Sequence, residues 1–422
     1  MKLILSLGAV AAANLVLAFL SQGYVLLKVG PGVETDALYA GMTVPQLIIS
    51  VLTGTFFYVM VPLLAGEDEQ HLSQAAWGFF LLIGGIFGTF GLVLYLLAPF
   101  WVALLVPGFS RERLILTEEL TRIQLIGMVF SALSCVLRAA YHARQRFFWP
   151  ELSQFMGSFA SLCVLISVLP RFGIRAAAGV NVLRDGLQTL LLLPGLGGYS
   201  KPDRSNAMMR EAWCKIRPLA LGTLYYKSGP MVDRFLASMA PSGGLSLFNF
   251  SQQIYGTATQ LINKAAVGPM MPLLAAHAKT GKSELFKRIY RVRLLAMTGL
   301  AAATGLLIVG FGEPVLRLRG EIIEEDIKIF WWFMVALLGF FIGGVTGQVL
   351  SSAFYAKGDV KTPTKVGVIG FTLGIGLKVI GFLISGLVGV AFGTTVYYLG
   401  NAVALYLLLE KKEHVAFRSN GA

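Results

Sequence analysis

The sequence predicts an all-α integral membrane protein with about 12 transmembrane helices in two parallel six-helix lobes. Three observations predict it: an apolar composition, the spacing of the apolar runs, and an internal repeat about half the chain long. Of the 422 residues, 56% are hydrophobic and 14% are charged, and the mean hydropathy is +0.71. A soluble chain of this size carries about a quarter charged residues. The 48 glycines suit helices that pack closely in lipid. The net charge of +13 is read as membrane topology before nucleic-acid binding, so no nucleic-acid partner is expected.

Windows of about 20 apolar residues place spans near 3–27, 37–64, 74–97, 120–141, 150–169 and 174–196. A second set follows near 218–239, 244–275, 290–312, 328–355, 365–385 and 387–409. The first span has no small-residue cleavage site after a short apolar core and reads as a retained helix. Residues 99–108 are too few to cross and read as interfacial, while the eighth span is long enough to be tilted or broken. The domain division expected is 1–199 for the first lobe, 200–217 for a basic cytoplasmic linker, 218–410 for the second lobe and 411–422 for a tail. Cys135, Cys163 and Cys214 form no CxxC pair, so neither a disulfide framework nor a metal site is expected.

Loop lysines and arginines set the orientation. With the N-terminus inside, the cytoplasmic segments hold clusters such as Lys201–Arg217, Lys279–Arg293, Lys357–Lys365 and Lys411–Arg418. The external side is sparser, with Arg111, Arg113, Arg171, Arg175, Arg317 and Arg319 among its few cations. Both termini are therefore expected to be cytoplasmic. The acidic loop Glu67–Gln70 also falls inside, but acidic residues weigh little in this rule.

The repeat is visible where Leu137–Pro150 (LRAAYHARQRFFWP) aligns with Leu350–Pro363 (LSSAFYAKGDVKTP) at an offset of 213. The same offset pairs Gly173 with Gly386 and Ala178 with Ala391. At an offset of 210, Val61–Ala65 matches Met271–Ala275. Six spans in each half is an even number, so the halves share one orientation and are related by a pseudo-two-fold axis along the membrane normal. Two such lobes flanking a central cavity is an alternating-access architecture, whereas a channel would show a filter motif.

Several motifs, in order, resemble those of the MurJ/MviN lipid II flippases. They are Thr35-Asp36-Ala37 with Val44-Pro45-Gln46-Leu47 and Val61-Pro62; Val106-Pro107-Gly108-Phe109; and Ala139–Pro150. In the second half they are Val232-Asp233-Arg234-Phe235-Leu236-Ala237-Ser238, Gly243–Leu247 with Pro269 and Pro272, and Gly386–Thr394. The resemblance implies the MOP exporter superfamily, a multi-pass protein of the bacterial cytoplasmic membrane, and flipping of an undecaprenyl-diphosphate-linked saccharide to the outer leaflet. Two departures stand out. Where the family carries arginines late in the first helix, this chain reads Ser21-Gln22-Gly23; where it carries L-R-R in the second, this chain reads Leu47–Gly54 (LIISVLTG). The chain also shows 12 spans where the family usually has about 14. These departures point toward another lipid-linked glycan, such as an exopolysaccharide or O-antigen unit.

A flippase of this kind must hold a diphosphate in low dielectric, and fixed cations do so through charge-assisted hydrogen bonds. A charge at bilayer depth costs at least ~3 kcal/mol, so it marks a pathway or a partner. Lys227 and Arg234 are the first candidates, seven apart on one face of the segment Leu219–Ala240. Lys264 and Lys378 follow, and Arg184 is weaker because Asp185 beside it neutralises it. Snorkelling is the competing reading for each, and position permits it for Arg138 and Arg234. At the 213 offset Lys378 meets Leu165 and Arg184 meets Tyr397, so neither charge belongs to the scaffold symmetry. Asp233 is the candidate for ion coupling, with an ion pair to Arg234 as the alternative; the resemblance suggests a cation bound partly there, with Lys378 as a tethered substitute. Asp36 reads as a cap or gate contact.

No cofactor is expected; coupling to membrane potential, H+ or Na+ is left open. Membrane lipids, a glycan polymerase or glycosyltransferases are the candidate partners, and a monomer is expected. The rivals are a MATE-like small-molecule exporter, which calls for an acidic or aromatic cavity, and a membrane-embedded glycan-processing enzyme. The enzyme needs a base within reach of substrate, yet His71, His142, His277 and His414 fall near cytoplasmic ends with no ligand spacing.

Overall fold

A computed structural model describes residues 2–64, 68–198, 223–225, 227–267, 283–317 and 324–420, with isolated positions at 212, 214, 216, 270, 274 and 277. Among the described residues the secondary structure is helical, with no strand. In chain order the helices are α1 (Lys2–Val29), α2 (Val33–Leu64), α3 (Glu69–Leu96), α4 (Ala98–Leu105), α5 (Arg111–Ala143), α6 (Phe148–Phe172) and α7 (Ile174–Leu192). They continue as α8 (Gly229–Ser238), α9 (Gly244–Ile262), α10 (Ser283–Arg317), α11 (Glu324–Ala356) and α12 (Lys361–Asn420). Eight described stretches are long and apolar enough to cross a bilayer, and α12 counts as one of them although it holds two expected spans. The chain is thus an all-helical, multi-pass membrane protein.

Three features follow from local chemistry. The eighth expected span is broken, because α9 gives way to a π-helical turn at Asn263–Val267. The stretch 99–108, expected to be interfacial, holds the eight-residue α4. The seventh span is not a continuous rod: a turn at Ser228 precedes α8, where Met231 N donates to Ser228 O at 2.9 Å. Pro230 has no N–H to continue the ladder, and its ring crowds the preceding turn. The expected single helical face joining Lys227 to Arg234 is therefore interrupted.

The repeat is written into the backbone. Helices α5 and α11 each have 33 residues, and both their first and last residues are 213 positions apart. Gly173 (φ 61°, ψ −153°) separates α6 from α7, and Gly386 (φ 60°, ψ −139°) divides α12 at the equivalent point. This conformation is open essentially to glycine alone. Gly30 and Gly243, at φ 86° and 87°, form another such pair, and Gln145 at φ 59° corresponds to Gly358 at φ 76°. The Val61–Ala65 match cannot be followed, since Met271–Leu273 and Ala275 lie outside the described residues, as do Pro269 and most of the 200–217 linker.

By compactness the chain divides into residues 1–246 and 247–422. In the first unit, α5 is the central element. Its Leu125, Met128, Ala132, Cys135 and Val136 pack with Phe56 and Met60 of α2 and with Phe79 and Ile83 of α3, Phe56 meeting Phe79 edge-on at 6.0 Å. Helices α2 and α5 approach so closely at Gly41 that a Cβ there would lie 2.8 Å from Thr121 Oγ1. In the second unit α11 has the same role: Val349, Leu350, Ala353 and Phe354 pack with Phe286 and Tyr290 of α10 and with Leu405 and Leu409 of α12. Without a hydrophobic drive between helices in lipid, such close contacts carry the association.

Candidate functional site

The first unit holds a half-open cavity of about 540 Å³ lined by five helices. Helix α1 contributes Asn14 and Ala18, and α2 contributes Ile49 and Thr53. Ser131, Ser134, Cys135 and Arg138 come from α5, Gln154 and Ser158 from α6, and Arg184, Asp185 and Gln188 from α7. The α5 set is spaced i, i+3, i+4, i+7, which is one helical face. That face could have been found in the sequence as a polar stripe in an apolar helix. Read from the sequence alone, Arg138 is a residue free to snorkel, and these serines and glutamines do not stand out. Of the predicted headgroup residues, Arg184 lines this cavity and meets Arg138 there rather than Lys227 or Arg234.

Both cavity arginines hold carboxylates, and hold them loosely. Arg184 Nε donates to Asp185 Oδ1 at 3.0 Å, the neutralising contact the sequence suggested. Asp185 also accepts from Ser131 Oγ at 2.8 Å. Arg138 Nη2 reaches Glu151 Oε1 at 3.5 Å. Outside the cavity the pairs are forked: Arg175 to Glu119 at 2.6 and 2.9 Å, and Arg291 to Glu410 at 3.0 and 2.6 Å. Forked guanidinium–carboxylate pairs are the strong, specific ones. The single contacts in the cavity leave most guanidinium donors available to an incoming anion.

A second feature gathers the motifs that were singled out in the sequence. Asp36 is buried, and its carboxylate accepts from Gly243 N and Ser246 N, each at 2.8 Å. It caps the start of α9 rather than its own helix, where an anion suits the N-terminal dipole and satisfies N–H groups that have no helical partner. Gly108 N donates to Ser238 Oγ at 3.2 Å, and a Cβ on Gly108 would lie 2.3 Å from Ser238 O. Only a glycine lets the 106–109 turn touch the end of α8. Buried Arg234 lies within electrostatic reach of the carboxylates of Asp233 and Asp36. Residues far apart in sequence thus form one latch at this end of the first unit.

The remaining candidates are dispersed. Half-buried Lys227 donates to Ser50 O on α2 at 2.7 Å. Lys264 is exposed on the π turn. Lys378 is buried in α12, beside Gly393, whose Cβ would meet Lys378 N at 3.1 Å. Asp233 and Lys378 belong to different units. Among the described residues no group of three or more His, Cys, Asp or Glu is placed to hold a metal ion.

The second unit has a cavity of its own, about 280 Å³, between α9, α11 and the two halves of α12. Part of its wall coincides with that of the first at the 213 offset. Arg138 corresponds to Ser351, Asp185 to Tyr398, Gln154 to Gly367 and Gln188 to Asn401, all of them lining residues. No charged side chain is among its lining residues.

Comparison with known proteins agrees with this architecture. A sequence model of the family described as "Lipid II flippase MurJ" matches residues 28–420. A "Lipid II flippase MurJ" of Burkholderia cenocepacia is 22% identical over 370 residues, covering 80% of this chain and 70% of that one. A "Probable lipid II flippase MurJ" of Vibrio cholerae is 25% identical over 244 residues, covering 54% of this chain, and the match spans less than half, 45%, of that relative. Among solved structures, a MurJ in an inward closed conformation superposes with a TM-score of 0.81 at 17% identity, over 97% of this chain and 89% of that one. An inward-facing MATE multidrug transporter of the MOP superfamily reaches 0.80 at 16% identity, over 98% and 95%. At these identities the two structures establish a MOP-type fold and the family match establishes descent: the chain belongs to the MurJ family of lipid II flippases, which are transporters and not enzymes.

Proposed function

We propose that this chain flips a polyprenyl-diphosphate-linked saccharide across the membrane, and that Arg138 and Arg184 hold the diphosphate in the first-unit cavity. The observation that carries the reading is the pairing of two arginines with spare donors inside a cavity of about 540 Å³ in a membrane-embedded unit. The family resemblance expects arginines on the first two helices. Here α1 and α2 supply Asn14, Ala18, Ile49 and Thr53 to the same cavity, and the cations come from α5 and α7. That relocation supports a related headgroup held from other helices, a lipid-linked glycan other than lipid II. An incoming diphosphate competes with Asp185 and Glu151 for the arginines. Asp36 and the α8 segment serve as a gate in an alternating-access cycle, moving substrate from the cytoplasmic leaflet outward with both termini cytoplasmic. Lys227, Arg234, Lys264 and Lys378 take secondary roles in guiding the headgroup.

The test is translocation of undecaprenyl-diphosphate-N-acetylglucosamine and of lipid II by the purified chain in vesicles. Wild-type translocation of the first, lost on Arg138→Gln with Arg184→Gln, supports the reading. Translocation by that double variant at the wild-type rate overturns the site, and no translocation of either lipid by the wild type overturns the function. Movement of lipid II alone assigns the chain the substrate in its family's description.

A further inference from the structure

The second-unit cavity is absent from the mechanism above, yet the fold has kept it. We propose that it is a binding site for a single uncharged sugar ring. Its position is set by the repeat, because Ser131 and Ser134 in the first cavity correspond to Gly344 and Gly347 in the second. What differs is the chemistry. The lining hydrogen-bonding groups are all neutral: Gln348, Asn401, Thr259 and Ser351. A diphosphate or an organic cation entering here meets no counter-charge, and an ion unpaired at bilayer depth is costly. A ligand suited to these walls is neutral, hydroxylated and partly apolar.

The aromatic wall fits such a ring. Tyr398 lines the cavity and is fixed by Phe340, which meets it edge-on with centroids 4.6 Å apart at 90°. A ring held in this way offers a face to the C–H surface of a pyranose, while side-chain amides bond its hydroxyls in both directions. Asn401 packs against the first half of α12, where a Cβ on Gly370 would run into its side chain. The volume, about 280 Å³, is just under the ~300 Å³ at which ligand cavities usually begin, which limits the occupant to one ring.

The cavity is open because side chains are missing where they would fit. A Cβ on Gly256, Gly347 or Gly367 would meet nothing within 4 Å. Helix packing does not demand glycine at these positions, unlike at Gly343, where a Cβ would lie 2.8 Å from the Tyr398 backbone. Larger side chains there would fill the void and gain dispersion contacts. The site deepens the flippase reading by naming a place for a saccharide, and it rests on that reading only for what the sugar is attached to.

The experiment is ligand-observed NMR on the full chain in detergent micelles, with glucose, galactose and N-acetylglucosamine as uncharged probes and glucuronate and glucosamine as charged ones. At least one uncharged sugar is expected to bind with a Kd of about 1–10 mM, and the charged sugars at least ~10-fold more weakly. Gly347→Leu should abolish binding, while Gly310→Leu, equally uncrowded on the exposed face of α10, should leave it intact. Tyr398→Leu gives a second variant if Gly347→Leu does not fold, with the same loss expected. The proposal is overturned if no uncharged sugar binds up to about 100 mM, if the charged sugars bind as well, or if both cavity variants bind like wild type. Vesicle translocation separates the two readings. Sugar binding without translocation of any lipid-linked saccharide removes the flippase reading and leaves the site. Translocation without sugar binding removes the site alone.

Discussion

Two cavities occupy matching positions in the repeat and differ in what they present. The first has Arg138, Arg184 and Asp185 on its walls. The second has Ser351 and Tyr398 where the first has Arg138 and Asp185, and Tyr397 stands at the position of Arg184. The backbone repeats at matched points: Gly173 and Gly386 share one rare conformation, and α5 and α11 have the same length at the same offset. Duplication therefore preserved the geometry and released the chemistry. In a bilayer a charge is costly wherever it has no use, and arginines that line the first cavity but not the second are the ground for proposing that the first one takes the anion.

The comparison is most sharply tested by the arginines. Arg138→Gln and Arg184→Gln should each lower translocation about 10- to 100-fold, the equivalent of ~1.5–3 kcal/mol for a lost charged hydrogen bond. Ser351→Arg with Tyr398→Asp carries the first cavity's charges into the second; translocation measured beside sugar binding should show the sugar lost in the second cavity while diphosphate binding in the first is kept.

At the latch the expected effect is on stability rather than on transport. Asp36→Ala leaves two buried N–H groups without their acceptor and should destabilise the protein by about 2–5 kcal/mol, read as a fall in thermal midpoint. The repeat partner of Asp36 is Asn249, so Asp36→Asn asks whether the charge matters beyond the hydrogen bonds. It should cost less than the alanine.

Next come the matched backbone positions. Gly173→Ala and Gly386→Ala should cost a similar ~1–3 kcal/mol each, since both glycines sit where a Cβ is strained. A large inequality between them would break the equivalence of the repeats. Gln145→Gly should stabilise by up to about 1 kcal/mol, because Gln145 holds a left-handed conformation that its partner Gly358 adopts freely.

The smallest effect is a pH dependence in the second unit. Asp359 accepts from Thr362 N at 3.0 Å at the start of α12, and the side-chain hydrogen bond from Lys412 holds its carboxyl down at about 2, from an ordinary 3.8. A lowered folded-state value means that the contribution is complete above about 4 and is lost as pH falls through about 2. Unfolding followed between pH 5 and 2 should show that loss, weakened by solvent at this partly exposed pair, and Asp359→Asn should remove it.

Much of the fold was legible in the chain. Long apolar runs must become helices in lipid, because only a helix satisfies its own backbone there. The expected spans at 120–141, 150–169 and 328–355 lie inside α5, α6 and α11, and the breaks at Gly173 and Gly386 fall between expected spans. The seventh span was less legible: apolarity predicts a crossing, but the turn at Ser228 depends on Gly229 and Pro230, which separate Lys227 from Arg234. The site was legible in part. Arg184 stood out as a charge at depth, whereas Arg138 looked like a residue near a helix end, since a one-dimensional pattern does not show which faces enclose a void.

What the sequence determined by itself is the class of molecule, the duplication at an offset of 213, and the family, because composition, period and motif order are properties of the chain alone. Only the tertiary structure decided that Asp36 caps α9, that Gly108 meets Ser238, and that the two cavities share a plan but not a charge. The reason is physical. Burial in lipid fixes helices one at a time from local apolarity, but a cavity is made by side chains from five helices whose mutual approach depends on contacts between residues more than 100 positions apart.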